Sequence, residues 1–128
     1  MNHLKHFTPQ EANNTLPLVK RIVKDILYTG QRIRSLSAYL KEDVENHPGL
    51  EDMMKQLELY FVELEDIGCY YKDWSFGIGL VDFPSFIDEK EVLLCWRSDE
   101  KNLSYYHDCQ EGYAGRKPIP PEYLNGGK

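Results

Sequence analysis

The hydrophobic pattern of this chain changes period at Gly68, and this change limits most narrowly how the chain can fold. Before Gly68, apolar residues recur every three or four positions over 16–40 and again over 50–67, which is the spacing of one helical face. After Gly68, which is placed to end the second helix, short apolar stretches alternate with polar loops as in strands. The sequence therefore predicts an α+β fold, and its 128 residues are the length of a single domain, 1–128.

The helical half is expected to form one long antiparallel hairpin over residues 8–68. A capped helix start is expected at 8–13, but Pro17 would cost roughly 3 kcal/mol inside a helix. We therefore expect a short kinked segment first, and then a main helix that runs to about Glu42. The break between the two helices is expected at 47–49, where the sequence is His-Pro-Gly.

The two predicted helices carry opposite charge. Residues 18–41 hold six basic residues and one acidic residue, whereas 42–66 hold nine acidic residues and one basic residue. We expect this difference to favour pairing of the helices, although each exposed ion pair contributes only about 0–1 kcal/mol. An alternative stays open, in which the two charged faces are solvated and do not pair. Surplus apolar surface on the hairpin also makes a homodimer an expectation.

Residues 69–107 are expected to form a small three-stranded antiparallel β-meander. The predicted strands are 78–83, 91–97 and 103–107, joined by loops at 84–90 and 98–102. Glycine and proline recur from residue 108 onward, so 108–128 is expected to be an irregular C-terminal tail.

The short loop between the second and third predicted strands sets an expected register. It pairs Cys95 with Tyr105 and Leu93 with His107, and odd-numbered residues of both strands then share one face of the sheet. We expect Arg97 on that face as well. The other face would pack on the helices, and it carries Val92, Leu94, Trp96 and Tyr106.

Charge and cysteine usage limit the classes of partner and the compartment. The formal net charge is −6, and the sequence has no clustered basic footprint, so we do not expect nucleic-acid binding. No apolar run is long enough for a membrane span, and the start of the sequence lacks a secretory signal. Three cysteines, an odd number without a CxxC pair, indicate reduced thiols and a cytoplasmic location.

Several blocks of the sequence together resemble a known family. They are Phe7-Thr8-x-x-Glu11-Ala12-Asn13-x-x-Leu16-Pro17, Lys72-Asp73, Gly79-Leu80-Val81-Asp82-Phe83-Pro84, Leu94-Cys95-Trp96-Arg97, Tyr106-His107-Asp108 and the stretch from Gly112 to Ile119. Together they resemble DUF2203, a bacterial family of unknown function, over nearly the whole chain. Small departures lie at 98–100, where the family tends to have a Leu-Gly-Glu-like turn, and at Lys117, where Gln is usual. The resemblance implies a compact α+β fold and no particular activity.

Two arginines in the β half predict a site for an anion. Arg97 and Arg116 have the fork geometry that suits a carboxylate or phosphate, and the glycines near Arg116 would let backbone approach a ligand closely. We expect His107, Trp96 and Tyr105 to complete this ligand-binding site. The guest would be an anionic small molecule or a protein carboxylate. In the alternative, each arginine pins a loop by pairing with Asp73, Asp82 or Glu111.

His107 and its neighbouring acids are the candidates for catalysis or for a metal site. Imidazole titrates near neutrality, so a small hydrolase or metal-dependent enzyme would use His107 with Asp82, Asp108 or Glu111. Metal ligands would be His107, Asp108 and Glu111, although no second histidine stands at ligand spacing. Cys95 would act either as a nucleophile with His107 as its base, or as a small apolar residue of a central strand.

The sequence thus predicts a cytoplasmic ligand-binding or protein-interaction module that is not catalytic. Its site is expected around Arg97, His107 and Arg116, and the sequence identifies no cofactor. A small enzyme that uses His107 is the second hypothesis, and a purely structural homodimer is the third.

Overall fold

The computed structural model describes residues 5–40 and 47–124, and in these it contains three helices and one five-stranded antiparallel sheet. The elements in chain order are α1 (Pro9–Leu40), α2 (Pro48–Ile67), β1 (Tyr70–Tyr71), β2 (Leu80–Ile87), β3 (Lys90–Arg97), β4 (Tyr105–Asp108), β5 (Lys117–Pro118) and α3 (Pro121–Leu124). The strands lie side by side in the same order. The predicted α+β class is confirmed. The sheet has five strands, whereas the sequence predicted three.

Helix α1 begins with a reciprocal cap and continues without interruption through Pro17. The backbone N–H of Thr8 donates to Oε1 of Glu11 at 2.8 Å, and the N–H of Glu11 donates to Oγ1 of Thr8 at 3.0 Å. The helix is continuous from Pro9 to Leu40, so the expectation of a separate first segment is wrong. Pro17 is exposed, so the hydrogen bond that it removes is lost on the solvent side, where water can replace it. The predicted end at Glu42 lies outside the described residues.

Helix α2 is fixed at both ends by local chemistry. His47 caps its start, because its Nδ1 accepts a hydrogen bond from the backbone N–H of Leu50 at 3.2 Å, and Pro48 occupies the first turn. Gly68 ends it with φ of 111°, a left-handed conformation that favours glycine. The predicted stop at Gly68 is confirmed. Buried Leu57 and Leu64 join α2 to α1 and the sheet in one core.

Strand β2 runs three residues past Pro84, so the predicted loop at 84–90 shrinks to a two-residue turn. Strand β1 pairs with β2 only at Asp82 and Val81, and the carbonyl oxygen of Pro84 accepts a hydrogen bond from the N–H of Phe7 at 2.7 Å. The nitrogen and oxygen of one strand residue point to the same side, so the missing N–H of Pro84 faces this outer edge and not β3. A proline is tolerated there.

The predicted register between β3 and β4 is confirmed. Cys95 pairs with Tyr105, and Leu93 pairs with His107. Three even-numbered residues of β3 pack on the helices in the core, and they are Val92, Leu94 and Trp96. The opposite side of the sheet, which carries Asp82 of β2 together with Cys95 and His107, is termed the open face.

The segment after β4 has more regular structure than the predicted irregular tail. Lys117 and Pro118 form β5 on β4, because Pro118 occupies an outer edge that needs no further N–H donor. Residues 113–115 form a 3-10 turn, and α3 follows at 121–124; residues 125–128 lie outside the described part. None of the described helices has both the length and the apolar character of a membrane span.

Candidate functional site

Three titratable side chains meet on the open face, one from each of three neighbouring strands. Asp82 of β2 lies directly opposite Cys95 of β3. His107 of β4 reaches the same place diagonally, since its own partner is Leu93, two residues before Cys95. The three are only 5%, 2% and 3% exposed, and one ligand atom from each lies within 4.8 Å of the others. They are termed the Asp82–Cys95–His107 cluster.

Both ring nitrogens of His107 have defined neighbours. Nδ1 lies 2.9 Å from the backbone carbonyl oxygen of Asp108, which can only accept, so Nδ1 carries a proton and donates it. Nε2 lies 3.3 Å from Oδ1 of Asp82. Hydrogen bonds raise the pKa of His107 from 6.5 to about 10; the one with Asp82 contributes most, and the one with Cys95 contributes next. The Asp82 carboxylate thus favours the protonated, imidazolium form of the His107 ring.

The Asp82 carboxylate receives little hydrogen bonding for a buried group. Within residues 5–40 and 47–124, the 3.3 Å contact with His107 is the only hydrogen bond that reaches this side chain. A carboxylate has two oxygens that each accept more than one hydrogen bond, and its removal from water is costly without partners. Asp82 therefore keeps the capacity to bind a further donor or a cation.

The cluster forms part of the wall of a cavity of about 310 Å³, which is termed the inner cavity. The segment that follows β4 also lines it, with Glu111 and Tyr113 among the lining residues. The C-terminal segment therefore covers the open face in part, and it leaves room beside the buried cluster.

A larger cavity of about 610 Å³, termed the outer cavity, adjoins the inner one. The two cavities share Lys72, Leu93 and Cys109 in their walls. The outer cavity is also lined by Glu65, Glu91 and Gln110 and by four aromatic residues that do not line the inner cavity, and these are Phe61, Tyr70, Tyr71 and Trp74. A ligand that occupied both cavities would therefore contact aromatic rings at one end and the Asp82–Cys95–His107 cluster at the other.

Four rings, termed the aromatic wall, lie where the end of α2 meets the edge strand β1, and they belong to Phe61, Tyr70, Tyr71 and Trp74. The ring of Phe61 lies 5.4 Å from that of Tyr71 and 5.2 Å from that of Trp74, and the latter two are 5.6 Å apart. These separations are typical of favourable aromatic pairs. The turn that carries Trp74 is held by Asp73, whose Oδ2 accepts a hydrogen bond from the N–H of Ile78 at 3.0 Å.

Lys72 is the basic side chain on the wall that the two cavities share. It is exposed, and none of the ion pairs among the described residues involves its amine. Glu91 of the outer cavity differs, since Oε2 of its carboxylate lies 2.7 Å from Nε2 of His6. The amine of Lys72 is therefore available to a guest.

The two arginines of the predicted anion site each bind an acid of the loop between β3 and β4. Arg97 donates through Nε and Nη2 to the two carboxylate oxygens of Asp99, at 2.6 and 2.7 Å. Arg116 donates to Oε1 of Glu100 at 2.6 Å and to the carbonyl oxygen of Cys95 at 3.0 Å. The arginines thus pin loops, as the alternative expected, although their partners are not the acids named there.

The other predicted site residues are distributed over both faces of the sheet. Trp96 is buried on the helix side, where its indole N–H donates to the carbonyl oxygen of Glu100 at 3.0 Å. Tyr105 lies on the open face beneath the guanidinium of Arg116, which is 4.3 Å from its ring centre. A guest on the open face would reach neither the indole of Trp96 nor the covered face of the Tyr105 ring.

The predicted metal ligands do not share one place. Oδ2 of Asp108 lies 3.2 Å from the amine of Lys90, and Oε1 of Glu111 accepts a hydrogen bond of 3.4 Å from the N–H of Asp108. His107 instead faces Asp82, which the sequence had named as its catalytic partner. The enzyme stays the second hypothesis, which nothing in the structure tests, and the homodimer and the cytoplasmic location stay predictions.

Sequence reasoning missed Lys72 and the aromatic wall, and it did not combine Asp82 with Cys95. Tyr70, Tyr71 and Trp74 follow the helix stop at Gly68 within six residues. That density of aromatic rings in a polar connection was a usable signal for a binding surface. The pairing of Asp82 with Cys95 needed the register of β2, which in turn depends on the passage of the strand through proline.

A further cavity, of about 490 Å³, lies on the helices beside Tyr28, Tyr39 and Met53. The two tyrosines are 61% and 80% exposed. Within the described residues, the grouped metal-ligating side chains lie on the open face of the sheet and not here. The open face is therefore the stronger candidate site.

Comparison with known proteins adds one finding at the level of the family. A family model described as "Uncharacterized conserved protein (DUF2203)" matches residues 5–119. No curated protein and no solved structure matches the chain. The match spans both long helices and all five strands of the described structure, and it includes Asp82, Cys95 and His107.

Proposed function

The chain belongs to the DUF2203 family, and from its own geometry we propose that it binds a small aromatic carboxylate in the joined cavities of the open face. The observation that carries this proposal is the shared wall, where the unpaired amine of Lys72 lies between an aromatic cavity and a polar one. The proposal retains the anionic guest that the sequence predicted, but its partner is Lys72 and not the two arginines.

The size and lining of the two cavities support a small organic guest. Their volumes, about 610 and 310 Å³, fall in the range of ligand pockets, which is about 300–1,000 Å³. Such pockets combine a mostly apolar or aromatic lining with a few polar groups that fix the orientation of the ligand. Here Phe61, Tyr71 and Trp74 supply the rings, and the buried cluster supplies the polar end.

The unpaired amine of Lys72 supports a carboxylate on that guest, in walls that otherwise carry the acids Glu65, Asp82, Glu91 and Glu111. The two arginines already pair with carboxylates of the chain, Arg97 with Asp99 and Arg116 with Glu100. Lys72 has no such partner among the described residues. A carboxylate that reached Lys72 would also lie near the entrance to the inner cavity, because Lys72 lines both spaces.

Calorimetric titration with three matched probes tests the proposal. Phenylacetate carries both a ring and a charge, phenylacetamide lacks the charge, and cyclohexylacetate lacks the aromatic ring. We expect phenylacetate to bind most tightly, since each of the other probes loses one of the two contacts. The Lys72→Gln variant should weaken phenylacetate binding by about five- to tenfold, the equivalent of about 1–1.4 kcal/mol, and should leave phenylacetamide binding unchanged.

Lys24→Gln provides the matched control, because Lys24 is exposed on α1 and lines neither cavity. The same change of charge at this position should leave phenylacetate affinity as it is. Equal affinity of all three probes, or an equal loss in both variants, would reject the proposal.

A further inference from the structure

We infer that Asp82, Cys95 and His107 form a binding site for one divalent transition-metal ion on the open face of the sheet. The inference concerns the buried cluster itself, and it stands independently of whether an aromatic carboxylate occupies the neighbouring cavities. A carboxylate oxygen, a thiolate sulfur and an imidazole nitrogen are each established ligands of zinc.

The distance between Asp82 and His107 fits two ligands of a tetrahedral ion, and the sulfur of Cys95 lies close to both. All three ligand atoms lie within 4.8 Å of one another, and Nε2 of His107 is 3.3 Å from Oδ1 of Asp82. Two ligands that are each about 2.0–2.1 Å from a tetrahedral zinc ion stand about 3.3 Å apart. The ion would therefore enter between Asp82 and His107 with little movement of either side chain.

The orientation of His107 is that of a metal ligand whose second nitrogen is held by the protein. Its Nδ1–H donates to the carbonyl oxygen of Asp108, and metal-binding histidines almost always make such a bond through the nitrogen that does not bind the metal. This bond fixes the ring in the plane in which Nε2 points at Asp82. Nε2 is then the nitrogen that binds the ion.

The surroundings of Asp82 supply an independent observation. The residue is 5% exposed, and among the described residues its carboxylate has only the long hydrogen bond from His107. A buried carboxylate without sufficient donors is stabilised by a cation that binds it directly. With the thiolate of Cys95, the two negative charges would match a divalent ion.

The chemistry of the three ligand atoms determines which metals the site prefers and which protons the ligands lose on binding. Sulfur and imidazole ligands favour zinc, cobalt or iron over magnesium and calcium, which prefer oxygen ligands alone. Binding displaces one proton from the thiol of Cys95 and one from the His107 imidazolium, so both are released to solvent. Three protein ligands leave the fourth tetrahedral position open, and the inner cavity provides about 310 Å³ beside it.

Titration of the chelator-treated full chain with cobalt(II), followed by absorption spectroscopy, tests the inference. We expect visible ligand-field bands of tetrahedral strength and a thiolate-to-cobalt charge-transfer band, both of which saturate at one ion per chain and disappear on addition of zinc. His107→Gln should weaken cobalt binding by at least about tenfold. Weak octahedral bands without thiolate charge transfer would overturn the inference.

Cysteine variants assign the sulfur ligand even where one substitution impairs folding. Cys95→Ser should abolish the charge-transfer band. The double variant Cys69→Ala with Cys109→Ser leaves Cys95 as the sole cysteine of the three, and it should keep the band in full. Loss of the band in the double variant, or its survival in Cys95→Ser, would show that the cluster is not the site. Circular dichroism checks the fold of each variant.

Discussion

At the scale of single residues, the contact between Asp82 and His107 has the largest energetic consequence. Both side chains are almost fully buried, and their separation of 3.3 Å joins an imidazolium to a carboxylate in the absence of metal. The removal of one partner from a buried pair leaves the other without compensation, at a cost of about 3–5 kcal/mol. The neutral imidazole that remains after loss of a proton also pairs less favourably with the carboxylate.

The stability of the metal-free chain should therefore depend on pH through His107. Its pKa is raised from 6.5 to about 10 in the folded chain, so the folded state binds the proton more tightly than the unfolded state does. The stabilisation is complete below pH 6.5 and is lost as the pH rises through about 10. The other titratable groups that line the inner cavity with Asp82 and His107 are Lys72, Cys95, Cys109, Glu111 and Tyr113.

Urea unfolding in the presence of a chelator, at pH 6 and at pH 10, measures this effect. Asp82→Asn should lower the free energy of unfolding by about 3 kcal/mol at pH 6 and by clearly less at pH 10. Asp99→Asn is the matched control, because the exposed pair of Asp99 with Arg97 should contribute about 0–1 kcal/mol. A loss for Asp82→Asn that is the same at both pH values would contradict this assignment.

At the scale of elements, the position of a helix relative to a loop is fixed by side chains that form hydrogen bonds with backbone groups far away in the sequence. Asn13 of α1 binds both backbone groups of Leu103, since its Oδ1 accepts from the N–H at 2.8 Å and its Nδ2 donates to the carbonyl oxygen at 3.0 Å. Leu103 is fully buried just before β4. This clamp therefore holds the strand that carries His107 in place against α1.

Asn13→Ala should cost about 2 kcal/mol of unfolding free energy, because two backbone groups of Leu103 lose their partners. Equilibrium urea unfolding measures the loss. Asn14→Ala, one residue further along and exposed, should change the free energy by no more than about 0.5 kcal/mol. Equal effects of the two substitutions would show that the clamp is not what stabilises this junction.

Local chemistry predicted the elements well wherever the decisive contacts were local. Gly68 ended α2 because a left-handed cap suits glycine, and a short loop was enough to place Leu93 opposite His107. Local rules failed at Pro17 and Pro84. Each proline faces solvent or an outer edge of the sheet, so its missing N–H costs little, and that orientation is a property of the whole fold.

At the scale of the whole molecule, the sheet separates a structural side from a candidate functional side. The helices and Val92, Leu94 and Trp96 of β3 form the core on one side. The other side carries the buried cluster and the inner cavity, and the outer cavity joins it around the β1 edge, where α2 meets the sheet. The sequence analysis paired His107 with Asp82 and, separately, His107 with Cys95, but it did not expect all three in one group. Their convergence could not be predicted, since it depends on the register of β2 beyond Pro84.

The location of ligand binding distinguishes this account from its nearest rival, the cavity on the helices near Tyr28 and Tyr39. Amide ¹H–¹⁵N correlation spectra of the full chain, recorded during titration with phenylacetate, report that location residue by residue. The account predicts that the shifted amides lie at 70–74, 91–95 and 107–113, which line the joined cavities. Shifts confined to the helices around Tyr28 and Tyr39, or no shifts at a saturating concentration of the probe, would contradict it.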